Sequence, residues 1–162
     1  MHRPNNKINK GNHYELLLTN RNNRIIGRSK VDKIDYKKIN ICRWGLNTTT
    51  KTTQGFVNQH MTAMHIVIMG KKKEYVIDHI NHDPLDNRRS NLRYATKSQN
   101  GMNQKGVLGV CRLARKDLKK NWLMQIHKDN KTKKSYHYTK KEAIQARRKA
   151  EKELFGDYAY QR

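Results

Sequence analysis

The chain has 162 residues, 36 of them Lys or Arg against 13 Asp or Glu, for a formal charge of +23. A chain of this length forms one ordinary domain or two very small ones and buries comparatively little surface. The basic excess runs along the whole sequence and points to a polyanionic partner, nucleic acid before membrane, since no apolar run approaches the roughly 20 residues of a spanning helix.

The segment Met1 to Lys10 is polar, so no signal peptide is expected there. Cys42 and Cys111 form no CxxC pair, which argues against a zinc ribbon or a disulfide framework and predicts two buried thiols in a reducing cytoplasm. Charge alone does not separate ribosomal proteins, histone-like proteins, repressors and nucleases.

In chain order, Tyr14 to Leu18 and Arg24 to Ile26 read as strands flanking a polar Asn/Arg turn, the beginnings of a small sheet. Asn47 to Gln54 is Thr-rich and reads as a loop. Met61, Met64, Val67 and Ile68 fall at helical spacing and Gly70 follows, which predicts one short helix over Met61 to Met69. A charged turn, Lys71 to Glu74, then leads into a strand-like run, Tyr75 to Ile77, ending at Asp78 and His79. A turn-rich loop with Asp83, Pro84, Asp86 and Asn87 separates it from a second short run, Leu92 to Ala95. Thr96 with Gln99 makes a capping box, so a helix should begin near Lys97 and carry Asn100 in its first turns.

A second unit is predicted from Gly106, with domains over 1–105 and 106–162. Val107 to Cys111, Trp122 to Ile126 and Ser135 to Tyr138 have strand composition. Thr139 with Glu142 starts a helix that Gly156 ends, and its small-residue stripe of Ala143, Ala146, Ala150 and Leu154 suits a three-stranded sheet.

The densest reactive chemistry lies between Tyr75 and Asn103. Hydrolysing a phosphodiester needs a base that works near neutral pH, for which histidine is the natural side chain. It also needs charge neutralisation at phosphorus, for which a hard cation held by one carboxylate and one amide oxygen suffices when phosphate and water complete its shell. Asp78 and Asn100 offer those oxygens, His79 the base, and Asn91 a brace that bonds loop backbone groups. Asp78 and His79, if both in strand geometry, point to opposite faces, so the loop must turn them toward one phosphate.

Asp78-His79, Asn91-Leu92-Arg93 and Ser98-Gln99-Asn100, with the intervening Asp83 to Arg93, resemble the ββα-metal motif of HNH endonucleases of the phage and intron-encoded homing group. The resemblance implies metal binding by Asp78 and Asn100, a general base at His79 and a loop brace at Asn91, with the motif over about 74–104. It also implies one divalent ion per site, Mg²⁺ or Mn²⁺, acting on double-stranded DNA in the cytoplasm of a bacterial host, from a phage or mobile-element gene. From Gly106 to about Ala159 the chain more loosely resembles the three-strand-plus-helix DNA-binding domain of plant ethylene-response factors, whose sheet reads the major groove.

The expected fold is therefore α+β: a ββα-metal nuclease unit followed by a small three-stranded sheet plus helix. Candidate DNA contacts are Arg88, Arg89 and Arg93 beside the site, and Arg112, Arg115 and Gln125 in the second unit. The arginines read equally well as solvated charges, Asp83 and Asp86 as Asx caps, His82 as a loop residue, His65 as packed though close enough to assist, and Trp122 as core. Neither a small-molecule substrate nor a membrane is expected, and monomer versus homodimer stays open. The competing readings are a non-catalytic, sequence-specific DNA-binding protein that retains the HNH scaffold and a basic RNA-binding protein.

Overall fold

A computed structural model describes residues 4–103, 109–114, 119–128 and 130–159. It is α+β and divides into two compact units, Met1–Lys97 and Ser98–Arg162. The boundary expected between residues 105 and 106 lies outside the described residues, as does Arg115.

The first unit opens with an antiparallel sheet of β1 (Lys7–Asn9), β2 (His13–Thr19) and β3 (Ile25–Asp32). The turn between β2 and β3 closes because Asn20 Oδ1 accepts the N–H groups of Asn22 and Arg24, both at 3.0 Å, the local capping that Asn side chains provide. Alternation then turns Leu16 and Leu18 of β2 and Ser29 and Val31 of β3 inward. A 3-10 turn (Lys33–Asp35) and α1 (Tyr36–Ile39) lead to a second antiparallel sheet of β4 (Trp44–Leu46), β5 (Thr53–Val57) and β6 (His60–Ala63).

That sheet changes two expectations. The Thr-rich segment is a loop only in part, since Thr53 and Gln54 belong to β5. The helix expected from Met61 is shorter, α2 (Met64–Met69), because Met61 pairs with Phe56 across β5 and β6 and stays 58% exposed. Pairing with β5 outweighs the helical spacing of a single methionine. Gly70 does cap α2, its N–H bonding Ile66 C=O at 2.8 Å. The last pair of strands is β7 (Val76–His79) with β8 (Leu92–Ala95), antiparallel, and α3 (Lys97–Met102) follows at once.

The core of this unit gathers Leu16, Leu18, Val31, Ile39, Cys42, Trp44, Met64, Ile68 and Leu92. Each such burial contributes about 1.5–3 kcal/mol. Met64 and Ile68 are one helical turn apart, so α2 lies on the core along one edge and leaves His65 beside it, facing β7.

The second unit sets β11 (Lys131–His137), β10 (Trp122–Lys128) and β9 (Val110–Arg112) in one antiparallel sheet, with β10 central. Met124 and Ile126 pack under Ala143 and Ala150 of α4 (Lys140–Phe155), and Val110, Trp122, Ala146 and Leu154 join them. Thr139 caps α4 by accepting the Glu142 N–H at 3.1 Å while Glu142 Oε2 accepts the Tyr138 N–H at 3.2 Å. Gly109 has φ +73°, and a Cβ there would stand 2.2 Å from Gln125 O, so only glycine lets the chain enter β9.

Cys42 is buried, but Cys111 is exposed, contrary to expectation. Its neighbour Val110 faces α4, and strand alternation sends Cys111 to the opposite, open face. Among the described residues no helix is long and apolar enough to cross a membrane.

Candidate active site

β7 and β8 place the reactive side chains by register: Asp78 lies opposite Arg93, and His79 opposite Leu92. The two neighbours therefore leave β7 on opposite faces, and the strand ends at His79. There the chain turns sharply, with Ile80 N–H bonding Asn91 C=O at 2.9 Å, His82 N–H bonding His79 C=O at 3.0 Å, and His82 itself at φ +62°.

Asp78 is 7% exposed. Arg93 Nε donates to Asp78 Oδ2 at 2.9 Å and its Nη2 stands 2.8 Å from the same oxygen, so the carboxylate enters the interior already charge-compensated. His79 is half-buried, its ring edge-to-face with His65 of α2 at 5.1 Å between centroids. Burial, the largest influence, holds the His79 pKa below its ordinary value. A hydrogen bond to Asn87 and the charges of Asp78, Asp83 and Asp86 act in the opposite direction. His65 is pushed down to about 4, by burial first and then by His79. Two neutral imidazoles at neutral pH result.

The loop between the strands is fixed by its own polar groups. Asn91 Nδ2 donates to Asp86 C=O at 2.8 Å and Asn91 Oδ1 accepts the Asn81 N–H at 2.9 Å, which ties the loop's two halves together. Asp83 Oδ1 caps Leu85 N–H at 3.0 Å. Asp86, fully buried, takes Arg88 in a fork, Nε at 2.7 Å and Nη2 at 2.6 Å, and accepts Asn81 Nδ2 at 3.1 Å. Burial opposes ionisation of Asp86, but these bonds, with the Arg88 and Lys30 charges, hold its pKa below the usual value.

Arg89 forks onto Asp35 at 2.8 and 2.7 Å, and its N–H bonds Asp32 at 2.8 Å. Each of Arg88, Arg89 and Arg93 thus has a carboxylate partner, which ties it into the loop frame and lessens the charge it can offer a phosphate. β3 completes the frame: Lys30 N–H bonds Leu85 C=O at 2.8 Å and Asn87 N–H bonds Lys30 C=O at 2.9 Å.

Asn87 and Ser29 were not singled out by sequence reasoning. Both are fully buried. Asn87 Oδ1 lies 3.4 Å from His79 Nε2, and Asn87 Nδ2 donates to Ser29 Oγ at 2.9 Å. The one available signal was Ser29 itself, a hydroxyl in the inward series of β3 where an apolar residue would be expected. Asn100 is exposed on α3, in the second unit.

In that unit Gln125 stands opposite Lys134 on the face away from α4. Arg112, opposite Trp122, shares the face that α4 covers and is exposed at its edge. Among the described residues no three His, Cys, Asp or Glu side chains gather as metal ligands. A cation would therefore depend on few protein donors, and a carboxylate with an amide oxygen is an all-oxygen set that fits Mg²⁺ or Mn²⁺ rather than zinc.

Residues 64–102, from α2 through α3, match the family model of HNH endonucleases. A relative from Acanthamoeba polyphaga mimivirus, described as the uncharacterized HNH endonuclease L560, is 32% identical over 107 residues, 65% of this chain. The aligned part covers 57% of that relative, so the chain spans little more than half its length. No solved structure matches the chain.

Proposed function

We propose that the protein is a metal-dependent HNH endonuclease of the homing type, cleaving double-stranded DNA with some sequence preference. The observation that carries this reading is His79: a half-buried, neutral imidazole at the end of β7, bonded from behind by a buried amide, within the segment that matches the HNH model. In this reading His79 takes the proton of a water that attacks phosphorus in line, and Asn91 keeps the loop in the shape that presents the ring. Asp78 and Asn100 would be the residues to hold a Mg²⁺ or Mn²⁺ ion, which would supply charge stabilisation at the departing 3′ oxygen. Arg93 limits the desolvation cost of the Asp78 carboxylate.

The second unit supplies affinity and base preference through the face opposite α4. Exposed His127, Thr132, Lys134 and Tyr136 surround Gln125 there, a surface suited to phosphate and base edges. A phage or mobile-element origin accords with a viral relative.

Supercoiled plasmid incubated with Mg²⁺ or Mn²⁺ is nicked or linearised on this reading, and chelation stops the reaction. His79→Ala lowers cleavage by roughly 10² to 10⁴ with DNA binding retained, and equal turnover in the variant would remove the base assignment. The Arg93–Asp78 pairing favours one rival, a DNA-binding protein that keeps the HNH scaffold without its metal. Plasmid left intact at every metal concentration would establish that rival.

A further inference from the structure

The sheet of β4 to β6 leaves an apolar pair exposed on its outer face. Phe56 of β5 and Met61 of β6 stand directly opposite each other in the register, so their side chains leave the same face as neighbours. Phe56 is 63% exposed and Met61 58%. A single exposed apolar side chain is ordinary, but a cross-strand pair makes one continuous patch.

The hairpin beneath that patch is firmly held. Val57 and His60 bracket a two-residue turn, Asn58 and Gln59, with φ of +47° and +66°, the sign that suits the twist of a tight hairpin. On the opposite face a Cβ at Gly55 would stand 2.6 Å from Cys42 Sγ, and Val57 packs against the same core cluster. The pair thus projects from a ribbon backed by the core, beside a turn of two amide side chains.

Charge narrows the partner. Between Asp35 and Glu74 the sequence has no Asp or Glu, while seven Lys or Arg fall in that interval. Lys51, just before β5, is exposed. A second copy of the chain would bring two such cationic segments together, and two side chains fall far short of the roughly 800 Å² per partner of a stable interface. A polyanion suits these surroundings, and duplex DNA offers such a pair an apolar interior to enter, the faces of its stacked bases.

We propose that the β5–β6 hairpin is a DNA wedge, with Phe56 and Met61 entering between neighbouring base pairs and kinking the duplex while Asn58 and Gln59 meet base edges in the groove. This rests on the reading of duplex DNA as the partner, and adds to it a contact made by the first unit. The cost of unstacking one step is offset by taking both side chains out of water and by the further phosphate contacts that a bent duplex permits. Pyrimidine–purine steps open most easily, so the wedge confers a preference for them.

The test uses the full chain, with EDTA present so that the DNA stays intact, on two short duplexes carrying a fluorophore at each end. One has an all-purine strand; the other is the same duplex with a single TA step at its centre. Native protein is expected to raise energy transfer between the ends, more on the TA duplex, and to bind that duplex more tightly. Replacing both residues, Phe56→Ser with Met61→Ser, abolishes the bend and lowers affinity roughly 10-fold, with the melting temperature unchanged. Phe56→Leu, which keeps an apolar wedge, retains the bend.

If the double variant does not melt cooperatively, Phe56→Ser alone decides. Duplexes left straight by the native protein, or bent equally by the folded serine variants, overturn the proposal. Sedimentation showing a native dimer that the serine variants dissociate also overturns it and assigns the pair to a second copy. Straight duplexes with plasmid cleaved in Mg²⁺ sink the wedge and leave the nuclease reading standing. Bent duplexes with plasmid uncut at every metal concentration do the reverse.

Discussion

His65 is the residue whose burial has the plainest thermodynamic consequence. Its folded pKa of about 4 lies below the unfolded value of 6.5, so between those limits the unfolded chain binds more protons than the folded one, and stability rises with pH. Acidifying from neutrality therefore removes stability progressively as pH falls from about 6.5 toward about 4. The full displacement corresponds to about 3 kcal/mol. Thermal melts across that window are expected to show the loss, and His65→Phe, which keeps a ring against His79 without the titration, flattens the dependence. An unchanged slope in that variant would place the acid sensitivity elsewhere.

At this scale the short-range chemistry was legible. Asp78, His79 and Asn91 stood out because strand, turn and capping signals surround them. Ser29 did not, since 58 residues separate it from Asn87 and no local pattern joins two residues that distant.

Among the elements, the three strands β4 to β6 were the least visible in the sequence. Trp44–Leu46 and Thr53–Val57 are short, and glycine interrupts both, so neither shows sustained alternation. Packing explains them: a Cβ at Gly55 would lie 2.6 Å from Cys42 Sγ and 3.0 Å from Trp44 Cε3, both in the core. Gly55→Ala is accordingly expected to cost about 1–3 kcal/mol by overpacking, read as a lower melting temperature. By contrast α4 was legible from its caps and stripe, as helices with strong start and stop signals are. Thr139→Ala there removes the Glu142 N–H acceptor and is expected to cost about 1 kcal/mol, measured by denaturant midpoint.

The molecule as a whole carries +23 charges, and the loop arginines spend theirs on Asp35, Asp78 and Asp86. Phosphate attraction must then come mainly from the lysines and remaining arginines spread over both units. The affinity for duplex DNA is expected to fall linearly in log–log form with salt, by roughly a thousandfold or more over a fourfold rise, and fluorescence anisotropy across that range measures it. A flat response would mean that few phosphates are contacted.

The stitching of the β7–β8 loop to β3 bears on how far the segment that matches the HNH model is portable. The segment that matches the HNH model begins at residue 64, yet Ser29, Lys30, Asp32 and Asp35, which hold its loop, all precede that point. Grafting the matched stretch alone onto another scaffold would transplant the histidine without the clasp that orients it. The smallest self-sufficient cassette in this protein starts no later than β3.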